Sequence, residues 1–189
     1  MVLLDASSSM EPIAKDMRIA VNKFIKEQQA MKEPGALFGL AQFTHTTEFK
    51  REGILLADAK ELTEEEYVVN GGTAYYDALG TVVEKLGGRK HVVLCIITDG
   101  DDRDSDKFSK AQVARMLRKQ KEENGWVLVW VCESLESSQV AAELGAEAED
   151  NIRLDSSAFS STGSGCMSSS VSRHRAIMSS ASSSSSSST

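Results

Sequence analysis

The sequence has no apolar run approaching the roughly 18 residues that a membrane-spanning helix needs, and no charged segment leading into a long apolar stretch of the kind that directs secretion. Cysteine is scarce. Cys95, Cys132 and Cys166 lie far apart, form no Cys-x-x-Cys pair, and two of them sit inside apolar runs, where a free thiol behaves as a small core residue. That usage points to a reducing compartment and a soluble, cytoplasmic protein. Basic charge is in deficit, with 21 Lys and Arg against 28 Asp and Glu and a net charge of −7. Neither nucleic acid nor an anionic membrane is therefore expected as the main partner; a basic partner surface or a bound cation fits better. What the chain does have is enough apolar content, 41% of 189 residues, to bury one core and fold as a unit.

The most informative stretch comes first. Val2, Leu3 and Leu4 form a short apolar run ending in Asp5-x-Ser7-x-Ser9, the pattern of a buried parallel strand delivering polar groups at its carboxyl end, where open α/β sheets place their sites. A carboxylate and two hydroxyls alternating along a few residues can converge on one point. All three are hard oxygen donors, suited to Mg²⁺, Mn²⁺ or Ca²⁺ and unsuited to soft metals. Taken alone, the same residues also read as a loop whose side chains cap the next helix. Four residues before Asp5 are few for a central strand, which is normally about 5–6 residues long. Either the strand is clipped or the chain begins further upstream.

Downstream, Glu11-Pro12 opens a helix whose apolar positions, Ile13, Met17, Ala20, Val21, Phe24 and Ile25, fall on one face, and Pro34-Gly35 stops it. Residues 36–44 read as a strand, with a turn at His45-Thr46 and a second short strand over 47–51, giving a hairpin. Ile54-Leu55-Leu56 is an isolated apolar scrap, and 58–66 a charged connector. Gly71-Gly72-Thr73 marks a tight loop before a helix with Ala74, Ala78, Leu79, Val82, Val83 and Leu86 on its apolar face. Residues 91–98 and 126–132 are apolar on both faces and belong in the sheet centre. Helices are expected over 108–123 and 137–144, and a last edge strand over 151–154. Alternation of this kind predicts an α/β fold: a doubly wound, mainly parallel open sheet with helices on both faces and one antiparallel edge hairpin. This domain spans 1–155. A Ser-rich extension, 156–178, has weak helical character, and a disordered Ser tail is expected over 179–189.

In a parallel sheet the three polar loops share one edge, so Asp5, Ser7, Ser9, Thr73 and Asp99 can surround one cation. Two carboxylates neutralise a divalent ion and three hydroxyls add coordination without charge, which leaves the ion electrophilic toward an incoming anion. Asp77 reads as an ordinary first-turn carboxylate. The run Asp101, Asp102, Asp104, Asp106 fails the EF-hand pattern, with Lys107 and Val113 where Gly and Glu are needed, and reads as a solvated loop or a rim. His45 reads as structural or exposed, and Trp126 and Trp130 as core. A Mg²⁺-dependent phosphoryl-transfer enzyme or phospho-acceptor domain is the alternative at the same edge. Ser7 stands where a second carboxylate would be needed for a haloacid-dehalogenase motif, and no Walker loop occurs. The intact ligand set also disfavours a scaffold that has lost its metal.

At these residues the chain resembles a von Willebrand factor A domain, whose metal-ion-dependent adhesion site takes the form Asp-x-Ser-x-Ser, a distant Thr, and a later Asp after an apolar strand. The sequences Gly-Gly-Thr-Ala-Tyr-Tyr-Asp-Ala and Ile-Ile-Thr-Asp-Gly are similar to the family's flanking segments. The resemblance covers about 1–155. It implies a non-catalytic protein-binding module in which Mg²⁺, or Mn²⁺ or Ca²⁺, is held by Asp5, Ser7, Ser9, Thr73 and Asp99. In the family the serines and threonine contact the ion closely, the aspartates often act through water, and a Glu or Asp of a partner protein fills the open position. Gly-Trp-Val-Leu-Val-Trp-Val and the later Leu-Gly-Ala are similar to a subgroup common in bacteria and their phages.

Overall fold

The computed structural model describes residues 1–99, 102–154 and 164–184. Six strands form one sheet in the order β3-β2-β1-β4-β5-β6. Strand β1 (Val2–Asp5) lies inside it, parallel to β2 (Leu37–Phe43) and β4 (Val93–Thr98). Strand β5 (Val127–Cys132) continues the parallel set to β6 (Asn151–Arg153), and β3 (Thr47–Leu55) closes the other edge antiparallel to β2. The chain winds outward from β1 through β3, then returns to β4 and winds the other way. The switch point of this doubly wound sheet falls between β1 and β4, and open α/β sheets seat their ligands at such a point, outside the carboxyl ends of the strands.

Strand pleating divides the core. Val2, Leu4, Leu40, Cys95, Ile97, Val129 and Val131 face a layer containing Met17, Val21 and Phe24 of α1 (Ala14–Ala30). Leu3, Ala41, Phe43, Leu94, Ile96, Leu128 and Trp130 face α2 (Tyr75–Leu86), α3 (Lys110–Asn124) and α4 (Leu135–Glu143). The period of two along each strand is what the double-sided apolar runs require once helices cover both faces. A 3₁₀ turn, Ser8–Ile13, holds Pro12 and carries the chain from β1 into α1. Strands β2 and β4 extend past β1 at their amino ends, where a cavity of about 630 Å³ is lined in part by Met1, Val2, Phe38, Gly39 and Val93.

Two elements depart from the sequence expectation. Strand β3 takes in Ile54 and Leu55 and does not end at Arg51; register shifts near Leu40 and a positive φ of 64° at Gly53 let the ladder continue past a bulge. Helix α5 runs Ser164–Ser184, into the stretch read as a disordered tail, while residue 155 at the end of the domain, 156–163 of the extension and 185–189 of the tail lie outside the described residues. Met167 and Val171 of α5 join the α1 side of the core. Polar bonds add to this packing: Arg175 donates to Gln28 Oε1 at 2.6 Å and pairs with Glu33.

Candidate metal site at the carboxyl edge

Asp5 ends β1 with its carboxylate fully buried. The Ser7 main-chain N–H donates to its Oδ1 at 2.8 Å, and the Thr98 hydroxyl, from the end of β4, donates to Oδ2 at 2.7 Å. The Tyr67 hydroxyl donates to the Asp5 main-chain oxygen at 2.7 Å. Burial holds that phenol far above its ordinary range, with Asp5 and Asp99 adding to the shift, so it remains a donor. The Ser7 and Ser9 hydroxyls lie 2.9 Å apart, and Ser9 donates to Asp99 Oδ1 at 2.9 Å. Asp5, Ser7, Ser9 and Asp99 thus form one polar chain across the β1/β4 switch point.

Thr73 reaches the same edge through its loop. Ser8 N–H donates to Gly71 O at 3.1 Å and Asn70 N–H to Ala6 O at 2.8 Å, stitching the Gly-Gly-Thr loop to the loop after β1. Thr73 N–H donates to Asp104 Oδ2 at 2.6 Å, and its carbonyl accepts from Arg103 and Asp104. On the other side, Gly72 N–H donates to His45 Nε2 at 2.9 Å. Gly71 holds φ at 70°, and a Cβ on Gly72 would collide with both the Asp104 carboxylate and the His45 ring. The two glycines are therefore needed for backbone shape and for close approach, respectively.

The acidic loop is less solvated than its composition suggests. Asp102 Oδ1 accepts from Tyr76 N–H at 3.0 Å, and the Ser105 hydroxyl accepts from Asp77 N–H at 2.9 Å. Asp77 in turn accepts from the N–H groups of Asp106, Lys107 and Phe108. Burial alone would push the Asp77 carboxyl up, but these donors hold it below its ordinary range. Asp77 fastens the β4–α3 loop to α2, a tie that exceeds the first-turn role its position suggests.

Electrostatics at the switch point run the other way. Burial pushes the Asp5 carboxyl above its ordinary range; bonds from Ser7 and Thr98 oppose this and the Asp99 charge adds to it. Burial also raises Asp99, against the Ser9 bond and Arg103, with Glu133 adding. Carboxylates whose charge is penalised in this way gain from a cation. The donor set fits a hard divalent ion. It is made of oxygens only, and the nearby imidazole nitrogen of His45 is engaged by Gly72.

Glu149, Asp150 and His174 make a second group able to hold a metal ion, with ligand atoms within 4.8 Å of one another. In this structure Asp150, fully buried, accepts from Arg173 at 2.6 Å and bonds Ser170 and His174 Nε2. That network joins α5 to the start of β6.

Of the residues around the site, Tyr67 has no counterpart in the sequence expectation; His45, read as structural or exposed, holds Gly72 N–H, Asp104, read as part of a solvated loop or rim, holds Thr73 N–H, and Thr98 bonds Asp5. Thr98 was detectable from its place beside Asp99 on a strand parallel to β1. Tyr67 carries no local signal, and the turn at His45-Thr46 gives the position of His45 but not its bond to Gly72.

Comparison of the sequence with protein-family models and with curated proteins gives no match. Comparison of the fold does. A von Willebrand factor type A protein from Catenulispora acidiphila superposes with a TM-score of 0.60 at 16% identity, over 90% of this chain and 42% of that one. The SpRpn10 VWA domain gives 0.61 at 13% identity, over 82% and 85%. BatB from Bacteroides thetaiotaomicron gives 0.60 at 15% identity, over 92% and 97%. The architecture is that of a von Willebrand factor A-type domain. The chain spans less than half of the Catenulispora protein.

Proposed function

We propose that this chain is a non-catalytic, metal-ion-dependent protein-binding module. Asp5, Ser7, Ser9, Thr73 and Asp99 would hold Mg²⁺, and the site so completed would accept a Glu or Asp side chain of a partner protein. The observation that carries this reading is the Asp5–Ser7–Ser9–Asp99 chain at the switch point, with both carboxyls raised by burial. The ion would supply Lewis acidity toward a carboxylate. The protein's residues fix the oxygens around it, keep total charge near neutral, and leave one side open because Ser9 is exposed and Asp99 half-buried. A von Willebrand factor A-type fold supports an interaction role, and the buried free thiols of Cys95 and Cys132 fit a reducing, cytoplasmic setting.

Immobilised protein screened against peptides bearing one Glu, or Gln in its place, tests the proposal in Mg²⁺ and in EDTA. The expected result is retention of Glu peptides in Mg²⁺ alone. Retention that persists in EDTA overturns it.

A further inference from the structure

The loop that presents Thr73 is gripped from two sides by residues remote in sequence. His45, in the β2–β3 turn, accepts the Gly72 N–H through Nε2 at 2.9 Å, while Asp104, in the β4–α3 loop, accepts the Thr73 N–H through Oδ2 at 2.6 Å. The two gripping groups also face each other, with His45 Nδ1 3.9 Å from Asp104 Oδ2. Gly72 N–H thus occupies Nε2 and leaves Nδ1 on the side of the Asp104 carboxylate. Consecutive amides of the loop are thus each held by a side chain. The space between the two grips is too narrow for any Cβ at position 72. Ala74 N–H, bonded to Thr44 O at 2.8 Å, extends the same attachment onto α2.

The geometry points to His45 and Asp104 as positioning residues that set divalent-cation affinity by fixing Thr73, without being ligands themselves. The inference rests on the proposed metal site. Its physical basis is that a hydroxyl oxygen contributes to a small, geometrically demanding ion such as Mg²⁺ only when held at the right place, and partners that orient a ligand are worth about 10–100-fold in metal affinity. A loop with two adjacent glycines has large conformational freedom to lose. The two side chains restrict it before the ion arrives.

Calorimetric titration of Mg²⁺ into the full metal-free chain tests this with two pairs of variants. His45→Ala and Asp104→Ala remove the acceptors, and both are expected to weaken Mg²⁺ binding about tenfold while speeding hydrogen exchange at the Gly72 and Thr73 amides. His45→Gln and Asp104→Asn each keep an oxygen able to accept the same N–H, and are expected to restore affinity to within about threefold of the unaltered protein. Asp104→Asn also separates geometry from charge. If it weakens binding as much as Asp104→Ala, the carboxylate acts by its charge and the positioning role is overturned. Alanine variants that bind Mg²⁺ as tightly as the unaltered protein overturn it as well. An unaltered, folded protein that takes up no Mg²⁺ overturns the metal-site reading, and the positioning role with it.

Discussion

The Thr98 hydroxyl donates to Asp5 Oδ2 at 2.7 Å and so joins the carboxyl ends of β4 and β1, the two strands between which the winding of the sheet reverses. Both residues are almost completely buried. Thr98→Val keeps the shape and removes the donor. We expect Mg²⁺ affinity to fall about 10-fold, as for loss of a group orienting a ligand, and the Asp5 carboxyl to rise further because one of the bonds opposing burial is gone. Calorimetry, together with carboxyl titration by NMR, checks both effects.

Raised carboxyls make a pH prediction with a definite sign. A folded-state pKa above the unfolded value stabilises the fold below the unfolded range, about 3.9 for Asp, and that contribution is lost as pH rises through the folded value. In EDTA, Asp5→Asn is therefore expected to melt higher than the unaltered protein at pH 7, with the gap closing toward acid. In Mg²⁺ the order reverses, because only the unaltered protein is stabilised by the ion. Thermal melts at several pH values, with and without Mg²⁺, check this.

Asp77 shows the opposite sign. Its carboxyl is held low by three main-chain donors, so its contribution is present above the ordinary carboxyl range and lost as pH falls through the folded value. Asp77→Asn should cost about 1–3 kcal/mol at pH 7, and the difference should vanish in strong acid. Urea unfolding at the two pH values measures it.

Arg173→Ala removes one partner of the fully buried Asp150. His174 and Ser170 remain, so the expected cost is about 1–3 kcal/mol rather than loss of the fold. Amide exchange should locate the weakening in α5. A uniform change across the sheet would speak against a local attachment.

The sequence exposed the sheet because its central strands are apolar on both faces, as in 91–98 and 126–132, and its helices keep one periodic face. It did not reveal the length of β3, whose Glu48, Lys50, Arg51 and Glu52 interrupt any apolar pattern on an edge strand. Docking of α5 was hidden for a similar reason: its buried anchors, Met167 and Val171, sit in a Ser-rich segment. At the candidate site, Asp5, Ser7, Ser9 and Asp99 were legible because their spacing and place at strand ends imply convergence. The roles of Asp102, Asp104 and Asp77 were not legible. A carboxylate that accepts main-chain N–H groups from a distant loop looks in sequence like any solvated acid.

On the proposed reading, the β1/β4 edge binds a divalent cation through Asp5, Ser7, Ser9, Thr73 and Asp99. Isothermal titration of Mg²⁺ into the metal-free chain, beside a variant carrying Asp5→Ala and Asp99→Ala, measures this binding. The expected result is saturable uptake of a single ion per chain, lost in the doubly substituted protein. Uptake undiminished in that variant, or no uptake by the folded unaltered chain, would contradict it.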